Sequence, residues 1–177
     1  MDTALATAND FLSDHYVALK FVHVVFAAMW AWSTSVAYGT YLVPLFRDWQ
    51  RAPHDPERIR LRNWAMERFD DGAKLEHIAF PLLLITGPLL MIAGGWTPDS
   101  GWFAMKLVLI VLVFLPIEIA DFHLAHFGGN KERLRAAGDG IAYEQAIHTH
   151  WWFLIVTTPI VIVSITFTFY LAIVKPF

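Results

Sequence analysis

Trp102-Phe-Ala-Met-Lys106-Leu-Val-Leu-Ile-Val-Leu-Val-Phe-Leu-Pro116-Ile-Glu118-Ile-Ala-Asp121-Phe122 decides the fold class. As a helix, this nearly unbroken apolar run is long enough to cross the ~30 Å hydrocarbon core of a bilayer. Three further runs of the same kind accompany it, at about residues 16–46, 78–96 and 151–174. Across 177 residues the chain is 56% hydrophobic and only 16% charged, where a soluble domain carries about a quarter charged residues. The expectation is an all-α integral membrane protein, a four-helix bundle forming one domain over residues 1–177. Pro81, Pro88, Pro116 and Pro159 fall in or near the apolar runs and predict kinks rather than breaks.

Between the first two runs, residues 56–69 read as a short amphipathic helix lying at the interface, with Ile59, Leu61, Trp64 and Met66 available for burial. The basic residues are unequally placed. Arg47, Arg51, Arg58, Arg60, Arg62, Arg68 and Lys74 sit in the first connection, and Lys131, Arg133 and Arg135 in the third. The second connection, around Thr97 to Gly101, has none. The positive-inside rule then predicts both long loops in the cytoplasm and both termini outside it, in a multi-pass protein of the inner (plasma) membrane. The eight tryptophans, Trp30 among them, read as headgroup anchors. The first fifteen residues lack a basic n-region and apolar core, so no cleaved signal peptide is expected. There is no cysteine, which leaves no disulfide or iron–sulfur cluster, and the net charge of −3 argues against nucleic acid.

Polar residues inside apolar runs are costly, and they mark function by default. Two layers stand out. His23 and Lys106, near the outer ends of the first and third runs, should lie at the same depth. Neutral imidazole is an axial ligand for haem iron, and an ammonium pairs with carboxylates. The bland alternative has Lys20 and Lys106 reaching to the interface and His23 bonding a backbone carbonyl. The second layer, toward the cytoplasm, comprises Glu76, His77, Glu118, Asp121, His123, His126, Glu144, His148 and His150. His123 and His126 share a helical face, and of His148 and His150 at most one points inward. Within this layer His77, Glu118, His123, His126, His148 and His150 are candidate metal or haem ligands, with His77, His126 and His148 the candidates for haem. Glu118 is deep enough to require a partner.

Several short segments, in order, resemble the HemJ-type protoporphyrinogen oxidases. Lys20-Phe-Val-His23, Trp30 and Tyr41-Leu-Val-Pro44-Leu-Phe46 are similar to that family's first helix. Met66-Glu67-Arg68, Pro81 and Thr86-Gly87 are similar to its second helix and approach. Trp102-Phe-Ala-Met-Lys106-Leu matches the opening of its third helix, and Val174-Lys175-Pro176-Phe177 its C-terminus. Leu45 replaces the family's Arg, and the late third-helix His pair is replaced by Glu118, His123 and His126. The resemblance implies a membrane haem b protein that oxidises protoporphyrinogen IX to protoporphyrin IX. His23 and Lys106 would be its functional pair, with His23 on the haem iron. Without a flavin or nicotinamide fingerprint, electrons would pass to a quinone or respiratory chain.

The residues leave other readings open. One is a b-type cytochrome or accessory subunit of a respiratory or photosynthetic complex; another is a nonhaem metal oxidase built on the cytoplasmic cluster. A structural subunit is the bland choice. Membrane lipid, a quinone or tetrapyrrole, and a respiratory-complex or homo-oligomeric partner are the expected contacts.

Overall fold

The computed structural model describes residues 10–177; part of the segment read for a signal peptide lies outside them. The described residues form helices joined by short connections. In chain order they are α1 (Tyr16–Trp32), α2 (Ser35–Ala37), a π-helical turn (Tyr38–Leu42) and α3 (Val43–Arg51). Then come α4 (Pro56–Ala93), α5 (Gly101–Leu109), a second π-helical turn (Ile110–Phe114), α6 (Leu115–His126), α7 (Lys131–Ala136) and α8 (Gly140–Val174). Four helical stretches, Tyr16–Arg51, Pro56–Ala93, Gly101–Ala136 and Gly140–Val174, are long and apolar enough to cross a membrane. Large apolar side chains cover the outside of the molecule, among them Ile78, Leu112, Val163 and Ile173, each at least 60% exposed.

The separate interfacial helix expected over residues 56–69 is not found. That segment is the first part of α4, which continues for 38 residues to Ala93. The polar stretch from Asp70 to Glu76 sets the good helix formers Ala73, Lys74, Leu75 and Glu76 against the weak ones Asp70, Asp71 and Gly72. Asp71 pairs with Arg68 at 3.1 Å and with Lys74 at 2.8 Å, each three residues away, which holds the helix through the region. Met66 and Phe69 face inward rather than lying along an interface. The start of α4 is well specified. Asp55 accepts hydrogen bonds from Glu57 N at 2.9 Å and Arg58 N at 3.3 Å, with Pro56 in the first helical position. Asn130 caps α7 and Asp139 caps α8 in the same way.

Both π-helical turns lie just ahead of a proline, Pro44 or Pro116. A proline removes one helical N–H and crowds the carbonyl four residues back, and a wide turn relieves that crowding. α4 runs on through Pro81 and Pro88, and α8 through Pro159.

α1 packs along α4, α5 along α8, and α6 against both α4 and α8. Two apolar clusters result. One gathers Leu42, Phe46, Met66, Phe69, Tyr143, Ile147, Trp151 and Leu154, with the Phe46 and Trp151 rings stacked at 4.2 Å. The other is Trp30, Ala79, Phe80 and Phe114. Along α4, Asp70 and His77 fall between Phe69 of the first cluster and Ala79 of the second, so the polar layer separates two dry ones. At the far end Lys175 leaves α8 in the left-handed conformation, and its ammonium lies 3.6 Å from the Trp96 ring centre.

Candidate functional site

Two polar constellations occupy the interior. The first is built on His23 of α1 and Thr86 of α4, whose side chains meet at 2.7 Å. The Thr86 hydroxyl donates to Leu82 O, also at 2.7 Å, so its hydrogen is committed and its oxygen accepts from His23 Nδ1–H. That assignment fixes the tautomer and leaves the Nε2 lone pair free. Among the described residues nothing bonds to Nε2. Gly87 lies beside the ring; a Cβ there would be 3.7 Å from His23 Cε1. Lys106 is half-buried on α5. An imidazole held through Nδ1 with a bare Nε2 has the lone pair that an axial haem ligand offers, and in that respect His23 fits the group.

The second constellation lies between the two apolar clusters and draws on α4, α6, α7 and α8. Its centre is Lys131, 1% exposed. The ammonium has three hydrogens and meets three acceptors: Asp70 Oδ2 at 3.0 Å, Leu124 O at 3.0 Å, and His150 Nδ1. His150 Nδ1 also lies 3.2 Å from Asp70 Oδ1, and on its other side Nε2–H donates to Asp121 Oδ1 at 2.8 Å. Asp121 Oδ2 lies 3.1 Å from His77 Nε2, a close polar contact that does not meet hydrogen-bond geometry. His77 Nδ1 in turn meets His126 Nε2 at 2.8 Å. His126 borders a cavity of about 70 Å³ that is also lined by Asp70, Asp71, Lys74 and Lys131. Two carboxylates and one ammonium are then fixed in a dry layer.

Next to this network, Trp30 Nε1–H donates to Glu118 Oε1 at 2.7 Å. The partner that Glu118 required is therefore Trp30, which is buried and is not a headgroup anchor. Ser33 and Thr34, where α1 is interrupted, donate to Glu76 Oε2 at 3.3 and 2.6 Å.

The structure thus brings His77, Glu118, Asp121, His126 and His150 together and leaves two candidates outside. His148 is exposed and accepts from Trp152 Nε1 at 3.0 Å. His123 is exposed against Phe127. The pair His148 and His150 resolves as one inward and one outward. His150 meets protein groups through both ring nitrogens, and His77 through Nδ1, while His77 Nε2 makes no hydrogen bond. Among the described residues no group of three or more His, Asp or Glu is arranged to hold a metal ion. Sequence reasoning missed Asp70 and Lys131. Lys131 counted only as a loop charge, and its one signal was the Gly128-Gly129 pair that lets the chain fold back. No protein-family model, curated protein or solved structure matches this chain.

Proposed function

We propose that the protein is a four-helix membrane bundle that binds haem b through His23 and acts as an oxidoreductase on a reduced tetrapyrrole, as its resemblance to the HemJ-type oxidases implies. The observation that carries the reading is the His23 tautomer: Thr86 holds Nδ1–H and leaves Nε2 bare. His23 alone is assigned to the iron. Bound haem b supplies one-electron oxidation and reduction at that position. Thr86 orients the ring, and Lys106 binds a carboxylate, either a haem propionate or a carboxylate of protoporphyrinogen IX. Electrons leave to a quinone or respiratory chain. The charge asymmetry of the loops supports an orientation with both termini, and with them the His23 layer, on the outer side of the plasma membrane. A b-type cytochrome would share the ligand and differ in lacking porphyrinogen turnover.

Oxidised and dithionite-reduced absorption spectra of the detergent-purified protein, with the pyridine haemochrome, test this. The wild type is expected to give a b-type spectrum and His23→Ala to lose it. Thr86→Val leaves the imidazole but releases its tautomer, and should retain haem about tenfold less tightly. A b-type spectrum unchanged by His23→Ala, or no haem in protein made with ample haem supply, would overturn the assignment.

A further inference from the structure

A cavity of about 260 Å³ lies between α3, the N-terminal part of α4 and the start of α8. Phe46, Trp49 and Trp151 supply rings to its wall, and Arg62, Glu144 and His148 stand at its polar side. An apolar cavity of about 150 Å³ takes up benzene, so this one has room for a substituted six-membered ring. Its place suits an amphiphile. Phe46 closes the first apolar run and Trp151 opens the fourth, which puts the cavity at the level where apolar helix gives way to polar chain.

The lining narrows the chemistry of the occupant. The Phe46 and Trp151 rings stack at 4.2 Å, and Trp49 meets Phe46 edge-on at 6.2 Å. Flat aromatic walls favour a flat guest. The fixed charges cancel. Arg62 is 3% exposed, and its Nη2 meets Glu144 Oε1 at 2.6 Å and Oε2 at 2.8 Å. Its guanidinium also lies 4.5 Å from the Trp49 ring centre. A phosphate or a porphyrin carboxylate would find no unmatched guanidinium or ammonium among the lining residues, so the site suits a neutral group. One donor is left over. Trp49 Nε1–H is buried and has no acceptor among the described residues. A buried donor without a partner is costly, and the occupant that removes this cost brings an acceptor. A water would satisfy the N–H but leave most of the space facing rings, and cavities with such walls hold apolar guests. A neutral, flat ring with carbonyl oxygens, carried on a lipid tail, meets every one of these conditions.

We propose that this cavity binds the head of a membrane quinone, with its ring against Phe46, Trp49 and Trp151 and a carbonyl oxygen accepting from Trp49 Nε1–H. The proposal is one of binding, with no bond made or broken and no electron transferred. It stands on the cavity alone: haem at His23 enters neither its argument nor its readout.

Photolabelling of the detergent-purified full chain with an azido-substituted, short-tailed ubiquinone, followed by peptide mass spectrometry, tests it. Label is expected on the segments that hold Phe46, Trp49 and Trp151, saturating with dose and displaced by excess decyl-ubiquinone. His23→Ala should label as the wild type does, which separates this site from the haem assignment. Trp49→Phe keeps a ring and removes the N–H. About three- to tenfold more quinone should then be needed for half-maximal labelling, with size-exclusion profile and thermal midpoint verifying the fold. If that variant does not fold, the position and saturation of the label on the wild type decide alone. The proposal is wrong if the label never saturates, spreads over the apolar outer faces or falls elsewhere in the chain, or if a folded Trp49→Phe binds as tightly as the wild type. It is equally wrong if phosphatidylglycerol displaces the label and phosphatidylethanolamine does not, which would indicate a site for an anionic lipid head.

Discussion

Lys131→Met is expected to cost about 3–5 kcal/mol of stability, the range for removing one partner of a buried ion pair. The methionine chain fills nearly the same space, so the loss is electrical rather than steric. Lys131 is the only fixed cation of the layer among the described residues, and its ammonium satisfies Asp70 Oδ2, Leu124 O and His150 Nδ1 at once. Without it, Asp70 keeps only His150 Nδ1, 3.2 Å from its Oδ1, as a partner, and Leu124 O loses its donor. The measurement is the shift in thermal or denaturant midpoint in detergent. Adding Asp70→Asn should recover part of the loss, because the two residues are coupled and their costs do not add. Equal, additive losses in the single and double variants would show that the pair is not electrostatically linked.

Gly129→Ala should also be severe, by a different route. A Cβ at Gly129 would lie 2.4 Å from Leu124 O and 3.0 Å from Leu124 Cα. Both are backbone atoms, so no rotamer change can make room. Leu124 O is also an acceptor for Lys131, so the displacement needed to relieve the clash pulls on the ion network too. Overpacking of this kind costs about 1–3 kcal/mol before that second effect. Gly140→Ala is the control: nothing lies within 4 Å of its Cβ position, and its midpoint should stay near that of the wild type. If both variants unfold alike, the close approach at Gly129 is not the cause.

The four apolar stretches were legible in hydropathy because lipid-facing helices must be apolar along their length. The helix ends were not. Hydropathy marks where apolar residues stop, whereas α4 and α8 begin well before that, in polar segments capped by Asp55 and Asp139. The second polar layer was visible as a set of residues at one height, but its wiring was invisible. Spacing gives depth along a helix, and only packing decides that His126 meets His77 while His123 faces out. His23 and Thr86 were each noticed, yet the bond between them spans 63 positions and no local pattern encodes it. Trp30 and Lys131 were misread because their residue types have a commoner use at membrane boundaries, as anchor and as topological charge.

The wide turn at Ile110–Phe114 bears on which changes in chain length this protein can survive. It accommodates one residue more than a regular turn would. Shortening that segment by one residue would restore a regular helix and leave the residues after it near their present facing, whereas the same deletion in the regular helix before it would turn everything after it by about 100°, the angular step per residue. In that second case Glu118 and Asp121 would swing away from Trp30, His77 and His150 toward the outer face, although every residue downstream remained unchanged. A single-codon deletion should therefore be better tolerated within Ile110–Phe114 than in the regular turns of Gly101–Leu109.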